Sequence, residues 1–393
     1  MKRTFALSLT AALALTAGAL SAQQAIPTLE FDSNPTPLVT PENMQFGEVA
    51  GVATNSRGDV YVYTRTGNAT ISIGTSRAVA HGGSRLFQFD RSGKFVREIG
   101  QGAYGLLQAQ QVRVDPQDNV WIVDQMSTQV IKFDSNGRIQ MILSRKPEAV
   151  NVPNPRLDPL PAGLPVIQPA GAAGRGEGGG DREGGGGRAG GGGRAGGGGR
   201  AGGPAPLPGA GPTGETFNRP TDVAWDAQGN IYVADGYGNS RIAKYDRNGK
   251  WIKNWGSRGN GQGQFNILHG LAVDAQGNVY VADEGNKRIQ VFDGDGTFKT
   301  QFSNVGTPTA LCITRGPQQV LYVAHSGDPD GMEDAAIYKL DLNGTVLGKF
   351  GSAGKEVKQF GLVNSIDCRN PNELLVGELS NWRVQKLTLR AAR

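Results

Sequence analysis

The feature that most restricts the fold of this chain is a repeat in its second half. The first copy reads PTDVAWD, GNIYVAD and RIAKYD within residues 220–246, and the second reads HGLAVD, GNVYVAD and RIQVFD within residues 269–293. Each run ends in Asp, and each second run begins at a Gly-Asn turn. A unit that recurs in this way indicates one supersecondary element stacked several times along the chain.

Weaker copies of this unit begin near four further positions, Val49, Ala109, Pro308 and Val363. Each contains three or four short runs rich in Val, Ile, Tyr and Phe, separated by Asn-Gly, Asp-Gly or Gly-Asn turns that are typical of β-hairpins. Units of about 40 to 50 residues, each a four-stranded antiparallel sheet, are typical of β-propellers. Six copies therefore predict an all-β chain that forms a six-bladed β-propeller.

The last copy supplies three strand-like segments rather than four, in residues 364–369, 373–378 and 383–389. Thr28–Asp32 is a further strand-like segment near the other end of the chain. We predict that it adds the missing outer strand to the last blade, because this pairing would cover an exposed sheet edge.

The N-terminus has the composition of a secretory signal peptide. Lys2 and Arg3 precede an uncharged apolar stretch, Phe5–Ala19, and small residues then offer a cleavage site before Gln23. The stretch is shorter than the roughly 20 residues that span a bilayer, which disfavours the alternative of a membrane anchor. We therefore expect residues 1–22 to be removed and the protein to be secreted or periplasmic, without a membrane span.

A segment of different composition, residues 152–214, interrupts the repeats. It is rich in Gly and Pro and repeats Arg-Ala-Gly-Gly-Gly-Gly, so it holds too little apolar surface to offset the entropy of ordering its backbone. We predict a disordered insert that acts as a solvated spacer and is dispensable for folding. It separates residues 23–151, with blades 1 and 2 and the closing strand, from residues 215–393, with blades 3 to 6.

The charge of the chain is a weak signal for nucleic acid. The formal net charge of +5 includes Lys2 and Arg3, and basic residues in and around the insert account for most of the rest. The folded part is therefore almost neutral, which is not the electrostatic footprint of a nucleic-acid-binding domain. We predict no nucleic-acid partner, and we expect a monomer.

The two cysteines, Cys312 and Cys368, fall on predicted innermost strands of neighbouring repeats. Counted from the start of each strand they have opposite parity, and side chains of opposite parity face opposite sides of a strand. We therefore favour two buried thiols. A disulfide, which an exported protein can retain, is the alternative.

The repeat pattern is that of NHL repeats, and one part of it resembles a narrower family. Residues 236–242 (GYGNSRI), with PTDVA at 220–224 and GQF at 263–265, resemble the peptidyl-α-hydroxyglycine α-amidating lyases. The resemblance covers roughly residues 45–145 and 215–390. That family is a six-bladed propeller that cleaves peptidyl-α-hydroxyglycine to a peptide amide and glyoxylate, so the resemblance implies the same fold and this activity.

The resemblance also implies a catalytic zinc, which the family holds with three His residues. Each stands after the residue that opens the innermost strand of every second blade, so the three side chains converge at the channel mouth. The matching positions here are Gln110, His269 and Asn364, and only one imidazole remains. Amide oxygens suit harder cations better than they suit zinc. Zinc is therefore in doubt, and calcium is an alternative.

Other family positions are partly kept. The catalytic Tyr of the family falls on Tyr237 and a first-blade Arg falls on Arg65, so the resemblance implies catalytic roles for both. A substrate-binding Arg falls on Glu284, and a calcium-binding Asp falls on Ser365. The residues alone allow other roles: a turn-capping hydroxyl for Tyr237, a salt bridge within the blade for Arg65, and a hydrogen-bonded rim residue for His269.

No other catalytic motif stands out. The sequence lacks a Gly-x-Ser-x-Gly elbow, a phosphate-binding loop, and the Cys-x-x-Cys and His-Glu-x-x-His zinc motifs. Neither His81 nor His325 has a partner at a spacing that suggests a metal site.

Three functions remain open. The favoured one is an exported binding protein that takes a peptide, a small ligand or another exported protein at the channel mouth without zinc chemistry. The second is an active metal-dependent lyase with altered ligands. The third is a structural envelope protein whose insert makes the contacts. Metal content and glyoxylate release would separate the first two.

Overall fold

The computed structural model describes most of the two propeller segments, namely residues 26–66, 71–73, 77–79, 83–103, 105–143, 216–326 and 334–390. The predictions for residues 1–22, for the 152–214 insert and for His81 concern parts of the chain outside these ranges.

Short strands make up nearly all of the regular structure. β1 (Phe31–Asn34) lies apart from the strands that follow it in sequence. The first blade is built from β2 (Glu48–Thr54), β3 (Val60–Arg65), a hairpin of β4 (Ile71–Ile73) and β5 (Arg77–Val79), then β6 (Ser84–Phe89) and β7 (Phe95–Ile99). The second blade is built from β8 (Ala109–Val114), β9 (Val120–Asp124), β10 (Gln129–Phe133) and β11 (Ile139–Leu143). The third is built from β12 (Asp222–Trp225), β13 (Ile231–Asp235), β14 (Arg241–Tyr245) and β15 (Trp251–Trp255).

A short parallel pair precedes the fourth blade and another precedes the sixth. β16 (Ser257–Arg258) and β17 (Gln264–Phe265) precede the fourth blade, which is β18 (Leu268–Val273), β19 (Val279–Asp283), β20 (Arg288–Phe292) and β21 (Phe298–Phe302). The fifth blade is β22 (Pro308–Ile313), β23 (Leu321–Ser326), β24 (Ala335–Leu340) and β25 (Val346–Phe350). After β26 (Ser352–Ala353) and β27 (Gln359–Phe360), the sixth has β28 (Val363–Asn370), β29 (Glu373–Glu378) and β30 (Arg383–Leu389).

The innermost strands of the six blades form a closed ring. β2 contacts β8, β8 contacts β12, and the series continues through β18, β22 and β28 back to β2. The predicted six-bladed β-propeller is therefore confirmed. A single 3-10 turn, Glu284–Asn286, follows β19, and no helix within the described ranges is long and apolar enough to cross a membrane.

β1 closes the ring, as the sequence predicted. It pairs antiparallel with the outer edge of β30, with Phe31 opposite Leu389, and it completes the sixth blade as a fourth strand. The buried ring of Phe31 packs 5.1 Å from that of Phe350 in the fifth blade. The strand starts later than predicted, because Thr28 forms a bridge with Lys349 of β25 instead.

The core lies between the blades. Runs such as VYVY in β3 and IYVA in β13 are buried along their whole length, because each blade is covered on both faces by its neighbours. In the described residues the buried side chains form six clusters, one between each pair of neighbouring blades. Burial of apolar surface between blades therefore holds the ring together.

In blades 2, 3 and 4 an aspartate closes the turn between the first two strands. Asp226 Oδ1 accepts hydrogen bonds from the backbone N–H groups of Gln228 and Asn230, at 3.0 and 2.9 Å. Gly229 in this turn has a φ of +84°, a conformation that glycine adopts without steric cost. Asp115 and Asp274 close the matching turns of other blades in the same way. This explains why the Asp-x-x-Gly-Asn pattern recurs.

Cys312 and Cys368 form a disulfide that joins the innermost strands of blades 5 and 6. The preference for two free thiols was therefore wrong. The parity argument assumed regular strands, but the pairing of β28 with β29 shifts register between Asp367 and Asn370. Cys368 lies inside this irregularity, and an inserted residue changes the side to which the following side chains point.

Candidate functional site

One equivalent residue at or just before the start of each innermost strand lies at the channel mouth. In five blades the pairing with the second strand shifts register at this point, which is the pattern of a β-bulge. Bulges re-aim side chains, and here they aim them toward the axis. Around the ring the residues at this position are Ala50, Gln110, Thr221, His269, Thr309 and Asn364. Long polar side chains therefore come from every second blade.

The structure brings the three long polar side chains together. Gln110 Nε2 lies 3.3 Å from His269 Nε2, and Asn364 Nδ2 donates to the backbone oxygens of Gln110 at 2.8 Å and Ala50 at 2.6 Å. All three side chains are buried. The convergence expected from the repeat symmetry is present.

The hydrogen bonds of His269 define its tautomer. Nδ1 lies 2.5 Å from the backbone oxygen of Thr309, which can only accept. Nδ1 therefore carries the proton, and Nε2 accepts from the Gln110 amide. A histidine whose Nδ1–H is held by a carbonyl has a fixed ring orientation, with Nε2 directed at the channel.

Arg65, at the end of β3, holds Gln110 in place. It donates from Nη2 to Gln110 Oε1 at 2.9 Å, from Nε to the backbone oxygen of Ala109 at 2.7 Å, and from Nη1 to Glu48 Oε2 at 3.1 Å. A guanidinium can only donate, so the amide atom that faces it must be the oxygen. The other end of the amide, with its N–H groups, then faces His269.

Tyr237 is placed by a tight loop after β13. A Cβ atom at Gly236 would lie 1.8 Å from the backbone oxygen of Leu268, and one at Gly238 would lie 2.2 Å from the Asn218 side chain. Only glycine fits at both positions, which accounts for the Gly-Tyr-Gly sequence. The loop presents the Tyr237 ring edge-on to His269, with ring centroids 5.9 Å apart.

The surroundings of Tyr237 keep its hydroxyl protonated. Burial and the negative charge of Glu284 raise the pKa of Tyr237 to about 12, although Arg65 and Arg219 act in the opposite direction. The Arg219 guanidinium lies over the ring, 5.1 Å from its centre. At neutral pH Tyr237 therefore offers a hydrogen-bonding phenol and not a phenolate base.

These residues line one cavity of about 300 Å³ at the channel mouth. Of the residues predicted from the sequence, Arg65, Tyr237, His269 and Asn364 lie in its wall, and Gln110 lies behind Arg65 and His269. The other residues in the wall are Gln108, Gln125, Arg219, Glu284, Thr309, Ser326, Leu362 and Leu379.

Several polar wall residues, among them Gln125, Arg219 and Ser326, were not predicted as site residues. The position of Gln125 and Ser326 within their repeats could have identified them. Arg65, Gln125, Glu284, Ser326 and Leu379 each follow the polar residue near the end of the second strand of their blade. One equivalent position in five of the six repeats therefore forms the rim, and in blade 3 this position is Gly236. Arg219 has no such signal, because it enters through the loop before β12.

His325 belongs to the frame of blade 5 and not to the cavity. Its Nδ1 accepts from the backbone N–H of Thr307 at 2.7 Å, and its Nε2 lies 2.8 Å from Asp334 Oδ2. In blades 3, 4 and 6 this position holds a carboxylate that binds an Asn and an Arg of the same blade, as Asp235 binds Asn239 and Arg241. Both ring nitrogens of His325 are engaged by the protein.

The described residues contain no group of three or more His, Cys, Asp or Glu side chains placed to hold a metal ion. The hydrogen-bond partner of His269 Nε2 is the Gln110 amide.

Comparison with known proteins agrees with the repeat and the fold. The NHL repeat family matches residues 217–245 and 265–292. Peptidyl-alpha-hydroxyglycine alpha-amidating lyase 1 of Drosophila melanogaster is 30% identical over 211 residues, covering 46% of this chain and 36% of that protein. Peptidyl-glycine alpha-amidating monooxygenase A of Xenopus laevis is 35% identical over 173 residues, covering 41% of this chain and 18% of that protein.

One further sequence relative and one solved structure are also similar to this chain. NHL repeat-containing protein 3 of Homo sapiens is 37% identical over 119 residues, covering 29% of this chain and 31% of that protein. The chain thus spans little more than a third of the length of any of these relatives. A gluconolactonase structure from Xanthomonas campestris superposes with a TM-score of 0.50 at 13% identity, covering 93% of this chain and 98% of that one, and shows a shared fold alone. The chain is a six-bladed β-propeller with NHL repeats at residues 217–245 and 265–292, and it is similar in sequence to the peptidyl-α-hydroxyglycine α-amidating lyases.

Proposed function

We propose that this protein binds a peptide or a small ligand in the channel-mouth cavity, and that it does so without zinc chemistry. One observation carries the proposal: Gln110, His269 and Asn364 are hydrogen-bonded to each other and to the backbone rather than arranged as a set of free donors. The three side chains therefore converge, but hydrogen bonds of the Gln110 and Asn364 amides hold them together.

The donor set does not fit zinc. A catalytic zinc takes three protein ligands, drawn from Cys, His and carboxylates, plus an open position. Here the Nε2 lone pair of His269 accepts from an amide, Gln110 Oε1 is held by Arg65, and Asn364 turns its Nδ2 toward backbone oxygens. Ser365, which stands where the related lyases have a calcium-binding Asp, donates to Gln111 Oε1 at 2.8 Å and provides no carboxylate.

The cavity has the properties of a binding site. Its volume of about 300 Å³ is at the lower end of the range for ligand pockets, and its wall carries mainly polar side chains beside the apolar surface of Leu362, Leu379 and the Tyr237 ring. The Tyr237 ring adds an aromatic wall with a protonated hydroxyl. Relatives named for acting on peptidyl substrates favour a peptide as the ligand.

We also propose that the protein is exported, to the periplasm or outside the cell. The composition of residues 1–22 and the Cys312–Cys368 disulfide both support export, because disulfides persist in oxidising compartments.

An active metal-dependent lyase is the second candidate. It is favoured by the orientation of His269, whose Nδ1–H is held by a carbonyl while Nε2 faces the channel, as in metal-ligating histidines.

Metal analysis and a glyoxylate-release assay on peptidyl-α-hydroxyglycine separate the two candidates. We expect the purified protein to hold little zinc and to release little or no glyoxylate. Replacing both amides, Gln110→His with Asn364→His, should raise zinc affinity sharply. The matched control is Gln276→His with Asn248→His, two exposed turn positions, which should not. Tight stoichiometric zinc in the wild type, or rapid glyoxylate release, would establish the lyase instead.

Binding itself is tested with an immobilised peptide library. We expect the wild type to retain a subset of peptides and Tyr237→Ala to lose them, because that change removes the aromatic wall of the cavity. If wild type and variant retain the same peptides, the cavity is not the binding site.

A further inference from the structure

Glu284 is the unusual residue of the cavity wall. Its Oε2 is buried, and among the described residues it is the one buried carboxylate oxygen without a hydrogen-bond partner. Its neighbour in sequence shows the usual state of a buried acid in this fold. Asp283 accepts from the Asn266 backbone and from the side chains of Asn286 and Arg288. The Glu284 side chain also lines the cavity, and no ion pair or hydrogen bond to its carboxylate is present within the described residues. An unpaired carboxylate costs free energy, so a cationic group that enters the cavity is favoured beside Glu284.

A positive charge faces the same cavity at Arg219. Its guanidinium lies over Tyr237, and it forms no ion pair within the part of the chain that the structure describes. The other arginine of the wall, Arg65, is already engaged by Glu48, Gln110 and the backbone. The wall thus presents one unused negative group and one unused positive group. Both act on Tyr237, since Glu284 raises and Arg219 lowers its pKa.

We propose that the cavity binds a zwitterionic ligand, a short peptide with both termini free, with its ammonium at Glu284 and its carboxylate at Arg219. This inference rests on the proposed binding function. A ligand of one sign only would pair with Glu284 or with the exposed Arg219 but not with both, whereas a bipolar ligand pairs with both. The cavity volume of about 300 Å³ selects a small ligand over a folded partner.

Three forms of one dipeptide test the proposal by calorimetry: free Ala-Ala, N-acetyl-Ala-Ala without the ammonium, and Ala-Ala amide without the carboxylate. Ala-Ala should bind most tightly. Each blocking group should weaken binding about 10- to 100-fold, the range expected for loss of a hydrogen bond to a charged group.

Two variants locate each end of the ligand. Glu284→Gln should weaken Ala-Ala and the amide but leave acetyl-Ala-Ala unchanged. Arg219→Gln should weaken Ala-Ala and acetyl-Ala-Ala but leave the amide unchanged. Glu356→Gln and Arg258→Gln, at exposed positions away from the cavity, are the matched controls and should bind all three ligands like the wild type. Melting curves establish that each variant is folded.

The inference is overturned if Ala-Ala does not bind the wild type, if the blocked forms bind as well as Ala-Ala, or if Glu284→Gln keeps the preference for a free amine. The proposed binding function survives these results if longer peptides are still retained in a Tyr237-dependent way. If longer peptides are not retained either, the proposed binding function is wrong as well.

Discussion

The two ends of the central channel use polar residues in opposite ways. At the end where the innermost strands begin, the cavity wall holds Glu284 and Arg219 with hydrogen-bonding capacity left over. Further along the same strands the channel is closed by Arg113. This residue pairs with Asp222 through Nε at 2.9 Å and Nη2 at 2.6 Å, and donates to the backbone oxygens of Ile366 and Leu311, both at 3.2 Å.

The difference separates residues that hold the ring together from residues that are available for a ligand. Arg113 connects blade 2 to blades 3, 5 and 6, and Asp222 in turn accepts from the Leu271 backbone of blade 4 at 2.9 Å. The Cys312–Cys368 disulfide lies on the same innermost strands, between blades 5 and 6. The satisfied end therefore acts as a structural plug, and the mouth is where binding is expected.

The largest effect on stability should come from breaking the plug. Arg113→Ala leaves the Asp222 carboxylate buried without its counter-charge, and such changes destabilise proteins by about 3–5 kcal/mol. The free energy of unfolding in urea measures this. Arg390→Ala, which breaks an ion pair with Asp32 that is more than half exposed, is the control and should change stability by about 0–1 kcal/mol. Similar losses for both variants would refute the plug.

Removal of the disulfide should rank next. Replacing both Cys312 and Cys368 by Ala releases a link between residues 56 positions apart, with an expected loss of about 2–4 kcal/mol. Reductant should lower the melting temperature of the wild type and leave that of the double variant unchanged. Equal sensitivity of the two proteins to reductant would contradict the expectation.

At the mouth, truncation of Asn364 should cost less. Asn364→Ala removes the donors to the backbone oxygens of Ala50 and Gln110, and leaving a buried acceptor unpaired costs about 1–3 kcal/mol. Asn343→Ala, in an exposed turn, is the matched control and should leave the unfolding free energy unchanged. A loss as large as that of Arg113→Ala would show that the mouth is as structural as the plug.

Tyr237→Phe should have the smallest effect on stability at neutral pH. The folded state raises the pKa of Tyr237 from 10.0 to about 12, so it favours the neutral phenol. The unfolded state therefore ionises at a lower pH than the folded state, so the shift leaves stability unchanged well below pH 10.0 and lowers it as the pH rises from 10.0 toward about 12. The ultraviolet difference titration of wild type against Tyr237→Phe should show one phenolate forming near pH 12. Titration at the ordinary value would mean that the ring is not enclosed.

The amino-acid sequence by itself determined the fold. Short apolar runs and Asp-x-x-Gly-Asn turns are local patterns of a few residues, so they predict strands and hairpins directly, and counting the repeats yields six blades. The same count places Gln110, His269 and Asn364 at one end of the channel, because equivalent positions in alternate blades converge whatever residues occupy them.

Only the tertiary structure decided how these residues are bonded. Asn364 meets the Gln110 backbone across 254 positions of sequence, and Arg65 holds the Gln110 amide across 45. The register shift beside Cys368 turns this side chain to the opposite side of its strand from the one predicted, where it forms a disulfide with Cys312. Local patterns set strands and turns, but hydrogen-bond partners and bulges depend on side chains that come together only when the ring closes.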